Sequence, residues 1–200
     1  MATRHIYNRP ALFRQTLSLA YQEPKAKRGP GKVLESIGDF LMEYWAHMVT
    51  IVLGALVLCA IAVPFLSYFG LDSIAKPIFF ALHFVCAQIP AHSFYVFGHQ
   101  LGLCERNFSI YTSMFIGSLI FLLTKKRMPG IPWWLWMLFM LPMALDGTTQ
   151  MFGWRESDWI LRVVTGTLFG VGNIWFALPM MQKSLTETML PQMLPARQNV

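Results

Sequence analysis

The stretch AHMVTIVLGALVLCAIAVPFLSYF, residues 46–69, holds no Asp, Glu, Lys or Arg. About 20 apolar residues suffice to span a bilayer, so the run reads as a membrane helix. Further apolar runs follow at about 108–124, 131–150 and 159–182. Only 13% of the 200 residues are charged, where a soluble domain carries about 25%. The deficit lies after residue 45. The expected fold class is therefore all-α: a polytopic membrane helix bundle with four full spans, plus a re-entrant or fifth helix at 74–107.

That last segment decides the topology. Residues 74–98 are apolar but broken by Pro77, Pro90, His92 and Gly98. If 74–107 crosses, Lys and Arg divide ten to six between the two sides. If it dips in and returns, seven in the N-terminal tail share a side with Lys125, Lys126, Arg127, Lys183 and Arg197. Lys76, Arg106, Arg155 and Arg162 are left on the other side. Twelve against four obeys the positive-inside tendency better, and a re-entrant backbone is tolerated where protein or water shields it. The expected topology is thus four spans with both termini cytoplasmic in the cell membrane.

Four domains are expected: a basic tail at 1–32, an amphipathic interfacial helix at 33–45, the bundle at 46–182 and a C-terminal tail at 183–200. In the second, Val33, Leu34, Ile37, Phe40, Leu41 and Tyr44 recur at helical spacing opposite Glu35, Asp39 and Glu43, the pattern of a helix lying at an interface or docked on a partner. The alternative is a plain cytoplasmic extension of the first span. The net charge is +6. Because the basic tail leads straight into a membrane segment, a membrane surface is expected and a nucleic-acid partner is not. Gly29-Pro30-Gly31-Lys32 is no phosphate loop: Ala26 stands where the motif needs its first glycine, and Val33 where it needs Ser or Thr. No cleavable signal is expected. Trp133, Trp134 and Trp136 read as an interface belt.

The re-entrant topology gathers polar residues at the non-cytoplasmic end. Cys86, Gln88, His92, His99, Gln100, Cys104 and Arg106 come from the segment before the second clean span. Asp146 and Gln150 share a helix face, being four apart. Arg155 and Arg162 come from the start of the last span. These residues form the expected ligand-binding or structural polar site. Ionisable groups at membrane depth cost roughly 2.5–3.5 kcal/mol each on insertion scales, and so mark functional or structural pairs. Asp146 is expected to pair with Arg162 across a helix contact that Gly166 and Gly170 permit. Glu105, Asp146, Glu156 and Asp158 lie among the arginines, so no net positive funnel is expected. Cys86, His92, His99 and Cys104 could supply four metal ligands, yet no tight pair such as Cys-x-x-Cys is present. No metal is assigned, and any cofactor is unknown. His47 and His83 are given no role.

Several motifs occur in order: Cys86-Ala-Gln88-Ile-Pro90-Ala-His92-Ser93-Phe94, Phe97-Gly98-His99-Gln100, Cys104-Glu-Arg106-Asn107, Asp146-Gly147, Thr149-Gln150, Gly153-Trp154-Arg155 and Leu161-Arg162. Together they resemble the prokaryotic membrane family catalogued as domain of unknown function 2085, over about residues 80–175. The resemblance implies a polytopic membrane protein and brings no activity with it. The family pattern reads Cys-His-Gln where this chain has Cys86-Ala87-Gln88, and has a cysteine where this chain has Asn107. If relatives hold a metal through those positions, this chain has lost part of the site.

Three functions fit the sequence. One is a polar intramembrane site for a lipid headgroup, quinone or small anion, with Asp146 as proton acceptor or anchor and His92 or His99 as proton carrier. A second is an accessory structural subunit of a larger respiratory or photosynthetic membrane complex. A transporter is the weakest, for want of an inverted repeat. The expected partners are the lipid bilayer and other membrane subunits.

Overall fold

A computed structural model describes residues 30–193, with side chains described at 40 and 43–187. The basic tail expected at 1–32 therefore lies almost wholly outside the described residues. The chain divides into two compact units, 1–41 and 42–200. The helix bundle and the polar site both belong to the second; of the first, only the opening turns of the first helix are described.

That helix, α1 (Pro30–Tyr68), contains the decisive apolar stretch. It ends where Gly70 takes a left-handed φ of +75°, and Leu71 N–H closes back on Leu66 C=O at 2.8 Å. Such a closure satisfies a carbonyl that the helix end would leave bare. A short helix, α2 (Asp72–Leu82), follows. Eleven residues rise about 16 Å, well short of a hydrocarbon core of about 30 Å. A 3-10 turn over Pro90–His92 leads into an antiparallel hairpin of β1 (Ser93–Val96) and β2 (His99–Cys104). Three further helices complete the chain: α3 (Glu105–Leu123), α4 (Trp133–Met151) and α5 (Trp159–Met193).

The all-α expectation needs correcting at 93–104, and a fifth long helix over 74–107 does not form. Phe97 and Gly98 both have positive φ, 52° and 77°, between paired Val96 and His99. Two consecutive left-handed residues make the tight turn that twists with its strands, and they cannot continue a helix. Aromatic contacts pin the hairpin. Phe97 meets Phe65 and Tyr68 of α1, and Phe94 meets Phe108 of α3 and Trp159 of α5.

Among the described residues, three helical stretches are long and apolar enough to cross a membrane: Glu43–Tyr68, Glu105–Leu123 and Trp159–Glu187. They overlap the runs expected at 46–69, 108–124 and 159–182. The helix in the remaining run, 131–150, is α4; it is as long as α3 but is not one of these three stretches. The last helix runs on to Met193, past the expected limit at 182, and an exposed Lys183–Glu187 pair marks its solvated turn.

Two apolar clusters hold the unit together. Trp45, Ala46 and Leu53 of α1 pack with Phe121 of α3 and with Ile174 and Leu178 of α5. Ala60 and Val63 of α1 pack with Leu82 of α2, with Cys86 and with Leu103 of β2. Backbones come close where side chains vanish. A Cβ on Gly170 would lie 2.6 Å from Ile110 C=O of α3, and one on Gly166 would lie 2.7 Å from Arg106 C=O. Overpacking of this kind costs typically about 1–3 kcal/mol. Gly170→Val is therefore expected to lower the unfolding midpoint of the detergent-solubilised chain in a thermal melt. Gly130→Ala, whose nearest contact is an ordinary 3.4 Å, is expected to leave the midpoint unchanged.

Candidate functional site: a buried ionic network beside a thiol pair

Asp146 is the centre of the network. Its side chain is 2% exposed. Oδ2 accepts hydrogen bonds from Arg106 Nη2 and, at 3.1 Å, from Ser157 Oγ. Oδ1 accepts one from Arg155 Nη2 at 2.7 Å. Arg106 also donates to Gln150 Oε1 at 3.0 Å, using the one-turn spacing that puts Asp146 and Gln150 on one face. Three elements thus converge: the start of α3, the last turns of α4 and the 152–158 connection.

The expected Asp146–Arg162 pair is not formed. Arg162 Nη1 instead donates to Glu105 Oε2 at 3.0 Å, with side chains 8% and 9% exposed. The cause is the glycine one turn on. Gly166 lies against Arg106 C=O, so the Arg162 face of α5 looks at α3 and not at α4. Glu105 is legible in the sequence only as a countercharge; its place in the first turn of α3 is where a carboxylate favours the helix dipole.

The remaining expected residues divide between a hairpin brace and a cavity. Gln88, itself at φ +51°, donates through Nε2 to Phe79 C=O and Gly102 C=O, both at 2.8 Å. Its Oε1 lies 3.2 Å from His83 Nδ1, so a histidine to which the sequence gives no role is part of the brace. Gln100 Nε2 donates to Gln88 C=O at 2.8 Å and to Ser93 Oγ at 3.0 Å. His92 lines a cavity of about 400 Å³ together with Cys104, Arg106, Asn107, Gln150 and Arg162. His99 sits at the hairpin turn and is not among its lining residues. Ala87 lines the cavity too. The two positions where this chain departs from the resembled pattern, Ala87 and Asn107, therefore flank the same space.

Cys86 and Cys104 face each other with sulfurs 3.1 Å apart; both are free thiols, as is Cys59. The pair lies outside the three apolar spans. Cys86 Sγ accepts the N–H of Cys104 at 3.2 Å and of Gln88 at 3.4 Å. The hydrogen bond shared with the Cys104 thiol, helped by those N–H groups, holds Cys86 down to about 6 despite its burial. Cys104 is pushed up in turn, by the same shared bond and then by burial. Among the described residues, no three His, Cys, Asp or Glu side chains come together in a way that could hold a metal ion.

The buried charges balance. Glu156 and Asp158 are exposed, and Asp158 Oδ1 caps α5 by accepting Leu161 N–H at 2.8 Å. Arg106 and Arg162 are matched by the buried carboxylates of Asp146 and Glu105, and Arg155, half exposed, shares its surroundings with Glu156 and Asp158. Among the described residues, the buried Nε atoms of Arg106 and Arg162 have no acceptor.

Fold and network together define a helical membrane protein with buried charges clustered where α3, α4 and α5 meet. Residues 86–176 match the family described as "Predicted membrane protein (DUF2085)". The chain is 36% identical over 125 residues to an uncharacterized protein of Methanocaldococcus jannaschii, an alignment covering 58% of this chain and 79% of that relative. It is 33% identical over 89 residues to an uncharacterized protein of Methanothermobacter thermautotrophicus, covering 44% and 80%. The chain belongs to the DUF2085 family. No solved structure matches it.

Removing one partner of a buried ion pair costs roughly 3–5 kcal/mol, because the other charge stays buried. Asp146→Asn is expected to destabilise the protein on that scale in mixed-micelle unfolding. Arg155→Ala, whose side chain is 50% exposed, is expected to cost at most about 1 kcal/mol.

Proposed function

We propose that the network is a binding site for an anionic group, a phosphate or carboxylate carried by a lipid headgroup or a small molecule. The observation that carries this reading is the pair of arginines lining one cavity with buried Nε donors still free among the described residues. A buried donor without an acceptor costs about 1–3 kcal/mol, more when charged. An anion supplies the acceptor. Planar guanidinium groups suit phosphate and carboxylate oxygens.

The setting we propose is a multi-pass protein of the cell membrane with both termini cytoplasmic. In this topology α4 is the third of four spans, since its 19 residues rise about 28 Å. It lies against α5, where Trp136 Nε1 donates to Asn173 Oδ1 at 3.3 Å. The segment from α2 through the hairpin re-enters, its backbone shielded by the Gln88 brace. The basic tail rests on the anionic cytoplasmic leaflet.

Two experiments test these readings. In phosphatidylcholine nanodiscs, inorganic phosphate is expected to raise the melting temperature of the full chain saturably. At a hundredfold excess over Kd the stabilisation would be about 2.7 kcal/mol. Arg106→Gln and the cavity-filling Ala87→Phe are each expected to abolish that rise. Stabilisation by phosphatidylglycerol nanodiscs but not by free phosphate would assign the anion to a lipid. Stabilisation by neither would end the proposal. For topology, a membrane-impermeant maleimide applied to intact cells is expected to label Glu156→Cys and to spare Arg127→Cys, with the unsubstituted chain as blank. The reverse pattern would overturn the cytoplasmic placement of the termini.

A further inference from the structure

The geometry points to a thiol–disulfide exchange site in Cys86 and Cys104, with low-molecular-weight thiols and disulfides as its substrates. The inference is independent of the anion reading, because it does not use the arginine Nε donors.

Two free cysteines, eighteen residues apart in sequence, meet at 3.1 Å. A covalent bond needs about 2.05 Å, so the sulfurs have only about 1 Å to close. The two sulfurs are not equivalent. Cys86 is 4% exposed and receives two backbone N–H groups, which suits a sulfur that departs as a thiolate. One of those N–H groups belongs to Cys104, the residue capping the N-terminus of α3, where the helix dipole favours negative charge. Cys104 is partly exposed and lines the cavity, so it is the sulfur a small molecule reaches.

Atoms and electrons balance in the exchange. A disulfide RSSR enters the cavity, and Cys104 attacks one sulfur after passing its proton across the short contact to Cys86. This gives Cys104–S–S–R and releases RS⁻. Cys86 returns the proton to RS⁻ as RSH, and its thiolate then attacks Cys104 Sγ. The second RS⁻ leaves, and Cys86–S–S–Cys104 remains. The protein loses two electrons, and RSSR is reduced to two thiols. In reverse, a thiolate attacks the exposed Cys104 and Cys86 leaves, stabilised by its N–H donors.

The test equilibrates the full-length protein in nanodiscs with glutathione buffers from fully reduced to fully oxidised. Free thiols are then trapped by alkylation and located by peptide mass spectrometry. The expected result is the joint loss of two of three thiols as one two-electron couple. A Cys86–Cys104 linked peptide should form and reopen under reduced glutathione, while Cys59 stays free. Cys86→Ser should accumulate a glutathione adduct on Cys104, because the resolving thiol is gone; Cys104→Ser should leave Cys86 unmodified. Three free thiols at every ratio would overturn the inference. So would a linked pair that reduced glutathione fails to open, or an adduct on Cys86 in Cys104→Ser with none in Cys86→Ser. Should either variant fail to fold, the wild-type titration alone decides.

Discussion

A carboxylate that is 2% exposed in a membrane protein must be neutralised where it stands. Asp146 cannot reach water, and desolvating an ion costs several kcal/mol even after relaxation. Arg106 from α3, Arg155 from the loop before α5 and the Ser157 hydroxyl all turn toward it. The orientation of α4 against its neighbours follows from that demand. The same demand places Glu105 and Arg162 together one step away. The two pairs share the first turn of α3, since Glu105 and Arg106 are adjacent in sequence and send their side chains to different helices.

The hairpin poses the parallel problem for neutral groups. A two-stranded ribbon leaves strand-edge carbonyls bare, and α2 leaves its last carbonyls bare. Gln88 answers one of each, through Gly102 and Phe79, and its own carbonyl is answered by Gln100. To reach both, Gln88 adopts a left-handed backbone that a non-glycine residue takes only when its surroundings hold it there. The turn this creates carries Cys86 up to Cys104. The brace, the thiol contact and the cavity wall are therefore consequences of one local conformation.

Much of this is legible from residue types. The uncharged run at 46–69, the apolar runs of α3 and α5, and the isolation of Asp146 and Arg162 within their apolar surroundings follow from the cost of polar groups in hydrocarbon. The glycine spacing at 166 and 170 points to a close helix contact, seen against Ile110 and Arg106 of α3. The hairpin is harder to read. Gly98 is visible as a break, but Phe97 is an unusual first residue for a tight turn, and Val96 is the one β-branched residue in the two flanking strands, too little to declare them. Spacing alone gives His83 no role, because its partner Gln88 is brought near only by a turn after α2.

Composition and order alone set the solvent of this protein, the three stretches apolar enough for a membrane, and the identity of the polar residues needing partners, because burial costs depend on chemistry that each residue carries with it. Partner choice was decided by the tertiary structure. Arg162 met Glu105 instead of Asp146 because a missing side chain at Gly166 turned that face of α5 toward α3. Cys86 met Cys104 because a hairpin, not a helix, joined α2 to α3. Pairing depends on distances between elements far apart in the chain, and those distances exist only once the helices have packed.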